Sequence, residues 1–219
     1  MDGEMAALMV TDPPYGVNYD ESWRECSSRT FGGRTKGTIA GDDRCDWSAA
    51  YALCNADVAY VWHSHSNAHT CMENLRSNGF EVRQQIIWRK PFGVMARSAY
   101  NWQHEPCWYA VRKGEQASWV GGYKETTVWD ATIPNHPMAD DDDTRTVHTT
   151  QKPIEIMARA IRNHDAPLVF DPFLGSGTTM IAAEQLDRRC FGMEIDPTYC
   201  DVIVKRWENL TGETAVLEA

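Results

Sequence analysis

The stretch that decides the fold is LVFDPFLGSGTTMIAAEQLDRRCFGMEIDP, residues 168–197. Its first four residues, 168–171, form a short apolar run that ends in an aspartate, which predicts a buried strand. A glycine-containing loop follows, then a helix predicted over residues 178–187 and a second strand predicted over residues 190–194. Strands that alternate with helices in this way predict an α/β domain with a mainly parallel sheet.

The same alternation continues towards both ends of the chain. Further strands are predicted at residues 6–11, 57–62 and 80–88, and further helices at residues 66–75, 153–163 and 197–209. Residues 89–150 are rich in Trp, Gly and Pro and have weak periodicity, which indicates an irregular insertion. At 219 residues the chain is long enough for one core and short for two, so we expect a single domain over residues 1–219 with an insertion at about 90–150.

The charge of the chain limits how it could bind a nucleic acid. Its formal net charge of -10 argues against nonspecific binding of polyanions, because phosphate contacts need clustered Lys and Arg. Any such contact must therefore use local patches. Two candidate patches are Arg24, Arg29, Arg34 and Lys36, and Arg83, Arg89, Lys90 and Arg97. Ordinary solvated surface is an equal alternative for both.

The sequence has no feature of a secreted or membrane protein. No apolar run approaches the roughly 18 residues that a membrane span needs, and the first residues lack the regions of a signal peptide. Seven cysteines without a C-x-x-C pair indicate reduced thiols. We therefore expect a cytoplasmic protein without membrane contact. His63, His65 and His69 lack metal-ligand spacing throughout, so no metal is expected.

Three candidate motifs stand at the carboxyl ends of predicted strands. They are Asp12-Pro13-Pro14-Tyr15, the glycine loop of residues 171–177, and Glu194. In an open α/β sheet, ligands bind outside the carboxyl ends of the strands, near the point where the strand order reverses. If the strands are parallel, all three motifs line one cleft.

The glycine loop and Glu194 predict a cofactor site. Gly175 and Gly177 allow the backbone to approach a ligand closely, and the N–H groups of the helix beginning at Thr178 point towards the same place. A nucleotide phosphate is disfavoured, because Met180 occupies the third glycine position of G-x-G-x-x-G and no P-loop lysine follows. Glu194 has close to the spacing at which an acid binds ribose hydroxyls in this fold. A cofactor with a ribose and an amino-acid tail fits, and a plain tight turn is the alternative.

The motif Asp12-Pro13-Pro14-Tyr15 suits a planar amine. Two prolines fix the backbone of the turn and project an acid and an aromatic ring from it. An exocyclic base amine is a poor nucleophile because its lone pair is delocalised into the ring. The Asp12 carboxylate and the Pro13 carbonyl can accept its hydrogen bonds and help to free that pair. Tyr15 would stack on a base that has left the duplex. An ordinary Pro-Pro turn with a packed tyrosine is the alternative.

Five segments of the chain together resemble the DNA amino-methyltransferases in the β arrangement, in which D-P-P-Y precedes a target-recognition insertion and F-x-G-x-G follows it. The resemblance covers nearly the whole sequence. The matching segments are Asp12-Pro13-Pro14-Tyr15, His104-Glu105-Pro106, Thr150-Gln151-Lys152-Pro153, residues 171–179 and Glu194-Ile195-Asp196-Pro197.

The resemblance implies a Rossmann-like fold that depends on S-adenosylmethionine, with in-line transfer of the sulfonium methyl and neither a metal nor a covalent nucleophile. The implied catalytic residues are Asp12, Pro13, Pro14 and Tyr15. The implied cofactor residues are Asp171, Phe173, Gly175, Gly177 and Thr178 near the methionine part, Glu194 at the ribose, and Lys152 in the segment that shapes the cofactor pocket. Residues from about 90 to 135 would recognise the target sequence.

The substrate that we expect is the N6 amine of adenine at specific sites in double-stranded DNA. In this family D-P-P-Y more often accompanies adenine, while cytosine enzymes more often carry Ser in place of the Asp. The N4 amine of cytosine is the alternative. Two other classes stay open: a noncatalytic module that binds DNA or a partner subunit, and methylation of RNA or of protein glutamine. Protein-glutamine enzymes typically have Asn at the position of Asp12.

The chain departs from the family pattern near its beginning. Relatives usually carry a strand that ends in a Gly-Asp turn ahead of D-P-P-Y, and this strand helps to bind the cofactor adenine. Only about one strand precedes Asp12 here, so we expect one edge strand to be missing. Either the protein is a natural short form, or an upstream N-terminal segment or a partner subunit completes the pocket. The sequence leaves this point open, and also whether the protein forms a homodimer.

Overall fold

The computed structural model describes residues 4–18, 40–94, 96, 98–132 and 151–218. Several features singled out in the sequence lie outside these residues. They are the basic patch of Arg24, Arg29, Arg34 and Lys36, Arg97 of the second patch, Thr150 of the matching segment before the third helix, and the part of the predicted insertion after residue 132.

Within the described residues the chain forms seven strands and five helices. In chain order they are β1 (Leu8–Thr11), α1 (Ser48–Tyr51), β2 (Val58–Trp62), α2 (Ala68–Ser77), β3 (Phe80–Val94), β4 (Trp102–Arg112), β5 (Val128–Asp130), α3 (Ile154–Arg162), β6 (Leu168–Asp171), α4 (Thr178–Glu184), β7 (Arg189–Gly192) and α5 (Pro197–Thr211). Every predicted strand and helix is present, and α1, β4 and β5 are additional. Several boundaries differ from the prediction; among them, β3 continues to Val94, α4 ends at Glu184, and β7 ends at Gly192, before Glu194.

All seven strands form one sheet in the order β5-β3-β4-β2-β1-β6-β7. β4 runs antiparallel to its neighbours β2 and β3, and the other pairings are parallel. The predicted α/β class with a mainly parallel sheet is therefore confirmed. Among the described residues, β7 has only β6 as a strand partner and forms one edge of the sheet.

The strand order reverses between β1 and β6. From β1 the chain proceeds to β2 on one side, whereas from β6 it proceeds to β7 on the other side. β1 and β6 are parallel neighbours, paired through Leu8 with Val169 and through Met9 with Phe170. Their carboxyl ends therefore border a crevice at the reversal point, which is the usual ligand position in an open α/β sheet.

Apolar side chains cover both faces of the sheet. On β1, Leu8 and Val10 belong to the cluster that includes Ile156 of α3, whereas Met9 belongs to the cluster that includes Tyr51 of α1. β1, β2 and β6 are buried along their whole length, as expected for parallel strands that are covered on both faces. Because these strands are packed on both faces, the residues that follow them start from fixed positions at the edge of the sheet.

The first part of the predicted irregular insertion is regular. β3 continues to Val94 and pairs with β4 in a long antiparallel hairpin. The sequence obscures β4 because Pro106 stands within it, and prolines are rare inside sheets. Pro106 is tolerated because it lies where β2 ends. Its carbonyl accepts a hydrogen bond from the N–H of His63, the first residue after β2 (3.1 Å). The N–H that Pro106 lacks would point to the same side, beyond the end of β2, so no hydrogen bond of β2 is lost.

Two further properties of the described residues bear on the sequence predictions. No helix in this part of the chain combines the length and the apolar character that a membrane span needs. The six cysteines that the structure describes are free thiols. Residues 98–132 of the predicted insertion extend the main sheet through β4 and β5. That the whole chain forms a single domain stays a prediction.

Candidate active site

The motif Asp12-Pro13-Pro14-Tyr15 begins directly after β1, at the crevice. The Tyr15 hydroxyl donates a hydrogen bond to Asp12 Oδ1 (2.8 Å). Burial raises the pKa of Tyr15 well above its ordinary value, and the negative charges of Asp12 and Glu105 raise it further. The phenol is therefore a neutral donor that orients the carboxylate. The Asp12 side chain is 23% exposed, so a ligand can reach it.

Three side chains from elsewhere in the chain hold the backbone of this turn. Asn67, just before α2, donates to the Tyr15 carbonyl (2.6 Å). The Asp42 carboxylate accepts a hydrogen bond from the N–H of Gly16, the residue after Tyr15 (2.9 Å). The Trp47 indole donates to the Pro14 carbonyl (2.8 Å). Because all three bonds are made to backbone groups, the side chains of the turn remain available for other contacts.

Lys152 lies at the centre of a charge cluster, which we name the Lys152 cluster: Asp12, Tyr15, Lys90, Glu105 and Lys152. Its Nζ atom lies 2.6 Å from Asp12 Oδ2, 3.0 Å from the Tyr15 hydroxyl and 2.9 Å from Glu105 Oε2. Lys90 Nζ lies 2.6 Å from Glu105 Oε1. The Lys152 side chain is 4% exposed. Two cations thus balance two carboxylates, and of these four groups Lys152 is the most deeply buried.

Mutual attraction keeps Glu105 and Lys152 ionised. Burial alone raises the pKa of Glu105, but the charges of Lys152 and Lys90 outweigh burial and lower this pKa to about 2. Burial lowers the pKa of Lys152, but Asp12 and Glu105 outweigh it and raise this pKa above its ordinary value. At neutral pH an ammonium group therefore bridges two carboxylates at the carboxyl end of β1.

The glycine loop between β6 and α4 forms the opposite side of the crevice. Gly175 has a φ of +54° and Gly177 a φ of +87°, conformations that other residues rarely adopt. A Cβ at Gly175 would meet no atom nearer than 4.0 Å, so open space lies beside the loop at this point. A Cβ at Gly177 would lie 3.1 Å from Ile203, so that glycine permits close packing of α5.

Asp171, the last residue of β6, is hydrogen-bonded to the end of β1. Thr11, the last residue of β1, donates its hydroxyl to Asp171 Oδ1 (2.6 Å), and the Phe173 N–H donates to the same oxygen (3.0 Å). Burial raises the pKa of Asp171 to about 6, although these hydrogen bonds oppose the rise. The carboxyl group thus fixes the glycine loop relative to β1.

Glu194 follows β7 and contacts the glycine loop. Its carboxylate accepts hydrogen bonds from the N–H groups of Gly175 (2.7 Å) and Asp196 (2.9 Å). Each carboxylate oxygen has two lone pairs, so acceptor capacity remains for the hydroxyl groups of a ligand. The ribose role of Glu194 stays a prediction, and its position beside Gly175 fits that role.

The described residues fit a cofactor with an amino-acid tail and a ribose. Gly175 leaves room that a side chain would fill, and Glu194 offers acceptors beside that room. Phe173, in the same loop, packs edge-on against Trp47 with ring centroids 4.7 Å apart. Trp47 also donates a hydrogen bond to the Pro14 carbonyl. One side chain therefore contacts both the glycine loop and the turn that carries Asp12.

The structure brings the predicted residues to one crevice but gives Lys152 unexpected neighbours. Its described contacts are with Asp12, Tyr15 and Glu105, which favours a role at the catalytic acid. Its part in shaping the cofactor pocket stays a prediction. Sequence reasoning assigned no role to the following residues: Glu105, Trp47, Asn67 and Asp42. Only Glu105 left a signal, as part of the segment His104-Glu105-Pro106.

Two of the three histidines considered for a metal site stack on aromatic rings. His63 is buried and stacks on Trp108 with ring centroids 4.8 Å apart, and His65 stacks on Trp102 at 4.4 Å. Among the residues that the structure describes, no group of three or more His, Cys, Asp or Glu side chains could hold a metal ion.

The second basic patch is largely neutralised. The described pairs are Arg83 with Glu81 (2.8 Å), Arg89 with Asp130 (2.6 Å) and Lys90 with Glu105 (2.6 Å). The first two pairs are exposed, and exposed pairs are weak enough to exchange partners. Lys90 belongs to the Lys152 cluster and is not a free surface charge.

Comparison with known proteins gives a family and a fold. A family model described as DNA methylase, N6_N4_Mtase, matches residues 6–205. The type II methyltransferase M.BglII of Bacillus subtilis is 24% identical over 245 aligned residues, which cover 94% of this chain and 64% of that protein. The chain thus spans slightly less than two thirds of this relative.

Two solved structures share the fold. The crystal structure of the M1.HpyAVI-SAM complex has a TM-score of 0.65 and 24% identity, with 94% of this chain and 90% of that chain covered. The cytosine-N4-specific PvuII DNA methyltransferase has a TM-score of 0.66 and 16% identity, with 93% of this chain and 80% of that chain covered. The predicted methyltransferase fold is therefore confirmed.

Proposed function

Because the chain belongs to the DNA methylase family, we propose that it transfers a methyl group from S-adenosylmethionine to the N6 amine of adenine at specific sites in double-stranded DNA. The observation that carries the proposal is the pair of Asp12 and Tyr15, whose side chains are 2.8 Å apart at the carboxyl end of β1. An acceptor for an amine and a ring for a flat base thus project from one turn, across the crevice from the glycine loop.

The proposed cofactor supplies an electrophilic methyl group on a sulfonium centre when it is bound. The residues that would hold it are Asp171, Phe173, Gly175, Gly177 and Thr178 around its methionine part and Glu194 at its ribose. Two observations support this assignment: the open space beside Gly175 and the remaining acceptor capacity of Glu194.

The chain's own residues would align and activate the amine. The Asp12 carboxylate and the Pro13 carbonyl would accept hydrogen bonds from the two N–H groups of the amine. This arrangement would direct the nitrogen lone pair towards the methyl carbon. Asp12 would stabilise the positive charge that the nitrogen gains as it takes the methyl group from the sulfonium sulfur, which keeps the bonding electron pair. The nitrogen then loses one proton, which Asp12 accepts and passes to solvent. Trp47 and Asn67 keep the turn rigid through their bonds to its carbonyl groups.

The choice of adenine rests on Asp12. Among the relatives that the sequence resembles, D-P-P-Y more often accompanies adenine, and cytosine enzymes more often carry Ser at this position. The N4 amine of cytosine is the second candidate, because an enzyme specific for it shares this fold with a TM-score of 0.66. Both amines are exocyclic and planar, so the same acceptors serve either.

The experiment is transfer of labelled methyl from S-adenosylmethionine to unmethylated plasmid DNA, followed by mass spectrometry of the nucleosides. Wild type is expected to form N6-methyladenine, and Asp12→Ala is expected to lose it. Asp201→Ala, an exposed acid on α5, is the matched control and should keep full activity. N4-methylcytosine as the sole product would overturn the adenine assignment. A folded wild type that binds DNA without transferring methyl would favour a noncatalytic module.

A further inference from the structure

Both oxygens of the proposed catalytic acid already accept a hydrogen bond. Oδ1 of Asp12 accepts from the Tyr15 hydroxyl (2.8 Å), and Oδ2 accepts from the Lys152 ammonium (2.6 Å). Lys152 also donates to the Tyr15 hydroxyl (3.0 Å). A nitrogen that carries hydrogen therefore already lies where the proposed mechanism requires the target amine. To reach Oδ2, the amine has to share this acceptor with Lys152 or displace it.

The Lys152 ammonium is shielded from water in this position. Its side chain is 4% exposed, and a buried cation that loses its partner destabilises the protein strongly. It can move away from Asp12 only if another anion retains it. Glu105 is that anion, because its Oε2 atom already lies 2.9 Å from Lys152 Nζ.

Glu105 is itself held in place to receive this charge. It lies on β4, and its other oxygen is 2.6 Å from Lys90 Nζ. Lys90 comes from the neighbouring strand β3 and is 12% exposed. The Glu105 carboxylate is thus fixed between two ammonium groups, one of which faces Asp12. A small shift of Lys152 from Asp12 towards Glu105 would keep the ammonium paired with a carboxylate, while Asp12 keeps the hydrogen bond from Tyr15.

We propose that Glu105 is a positioning residue for methyl transfer, which retains the Lys152 ammonium while the target amine occupies Asp12. The proposal rests on the proposed function and deepens it. Lys152 then acts as a stand-in for the amine in the absence of DNA and keeps Asp12 oriented. After the transfer, the methylated amine has one N–H fewer to donate, so the return of Lys152 to Asp12 favours release of the product base.

The test is a double-mutant cycle with Glu105→Gln, Lys152→Met and the double variant, assayed on unmethylated plasmid DNA. Glu105→Gln keeps the shape of the side chain but removes the anion, so Lys152 stays on Asp12 and kcat falls about tenfold, with little change in KM for the cofactor. In the Lys152→Met background there is no ammonium to retain. Glu105→Gln should then change kcat by less than about twofold, or raise it.

The pH profile gives a readout that a merely structural role would not move. The titratable groups that face Asp12 and Lys152 are Tyr15, Lys90, Glu105, Cys107 and Asp171. Without Lys152, Glu105 loses one of the two cations that lower its pKa, so the acidic limb of kcat should move to higher pH in Lys152→Met. Removal of the Glu105 carboxylate in the double variant should move it back. Asp171 is common to all the variants, so it cannot cause a difference between them.

Glu184→Gln is the control. Glu184 is a half-buried carboxylate at the end of α4 that accepts a hydrogen bond from the Trp207 indole (2.9 Å), and it lies outside the proposed site and the target-recognition region. Glu184→Gln should leave kcat and the pH profile unchanged. Chemical denaturation and cofactor binding by calorimetry verify that each variant is folded. If Lys152→Met does not fold, Lys152→Gln takes its place in the cycle.

Additive effects would overturn the proposal. If Glu105→Gln lowers kcat by the same factor with and without Lys152, Glu105 acts independently of the ammonium. An unchanged kcat in Glu105→Gln would overturn it equally. These results differ from a failure of the proposed function, in which wild type transfers no methyl at all. A cytosine product would leave the inference standing, because that amine uses the same acceptors.

Discussion

Gly175 combines a backbone requirement with an open position beside the crevice. Its φ of +54° makes any other residue strained there, yet a Cβ would meet no atom nearer than 4.0 Å. Gly212, which follows α5, is a natural control, since it has a φ of +74° and its added Cβ would also meet nothing within 4 Å. The two glycines differ in that only Gly175 lies in the proposed cofactor site.

We expect Gly175→Ala and Gly212→Ala to lose similar stability, about 1 kcal/mol each, because both force a side chain into a left-handed conformation. Only Gly175→Ala should also weaken binding of S-adenosylmethionine, by about tenfold or more, because its methyl group would occupy the space beside the loop. Urea denaturation measures the first effect and titration calorimetry the second. Equal cofactor affinity in the two variants would contradict the assignment of Gly175 to the cofactor site.

At the residue scale, the sequence predicts what is local and misses what is distant. Asp12 and Tyr15 are three positions apart, so one motif contains both. Lys152 contacts Asp12 across 140 positions, and Glu105 contacts Tyr15 across 90 positions. No spacing in the sequence encodes such contacts. They follow only from the strand order. This order brings together the carboxyl end of β1, the first residues of β4 and the segment before α3.

One arginine adds side-chain hydrogen bonds to the backbone pairing that holds the reversed strand β4 in the sheet. Arg112, its last residue, donates to the carbonyl groups of Ala56 (2.8 Å), Asn78 (2.8 Å) and Cys54 (3.3 Å). Its guanidinium also covers the Phe80 ring at 4.5 Å. It thus ties β4 to the segment before β2 and to the end of α2, which also sets where Glu105 stands on the same strand.

We expect Arg112→Met to lower the free energy of unfolding by about 2–4 kcal/mol, because three carbonyl groups would lose a charged donor. Lys113→Met is the control, since Lys113 is the next residue, is exposed and should have an effect within about 0.5 kcal/mol. Chemical denaturation at neutral pH measures both. If Arg112→Met is as stable as Lys113→Met, the three hydrogen bonds contribute nothing to the attachment of β4.

At the element scale, burial explains which predictions succeed. β6 is four residues long and fully buried, so its apolar run is visible in the sequence. β4 is not visible, because Pro106 and exposed residues such as Gln103 break the pattern. β4 is identified only by its partners, β2 and β3, which pair with it on either side. A strand that is defined by pairing more than by composition leaves a weak signal in a single sequence.

At the scale of the whole molecule, the reversal of strand order explains why one crevice contains both proposed halves of the site. Parallel strands place their carboxyl ends on one edge of the sheet, and β1 and β6 are neighbours there. The hydrogen bond between Thr11 and Asp171 spans 160 positions and measures 2.6 Å. The sequence predicts this meeting of motifs, because it follows from parallel strands alone. The Lys152 cluster requires the reversed strand β4 as well, and the sequence does not predict that strand.

The Lys152 cluster also affects the stability of the whole chain in acid. The pKa of Glu105 is about 2 in the folded protein, against an ordinary value of 4.5. As the pH falls below 4.5, the unfolded chain therefore binds a proton that the folded chain does not, and unfolding becomes easier. The stabilisation from Glu105 is complete above this interval and is lost as the pH approaches the folded pKa.

Wild type should therefore lose about 2 kcal/mol more than Glu105→Gln when the pH is lowered from about 4.5 to about 3. The glutamine has no proton to bind, so its stability curve lacks this contribution, while all other carboxyl groups titrate in both proteins. Urea denaturation at a series of pH values measures the two free energies of unfolding. Parallel curves through this interval would mean that Lys152 and Lys90 do not hold the Glu105 charge in the folded state. If the curves separate and wild type is the more stable protein at the higher pH, the ion pairs of Glu105 stabilise the fold.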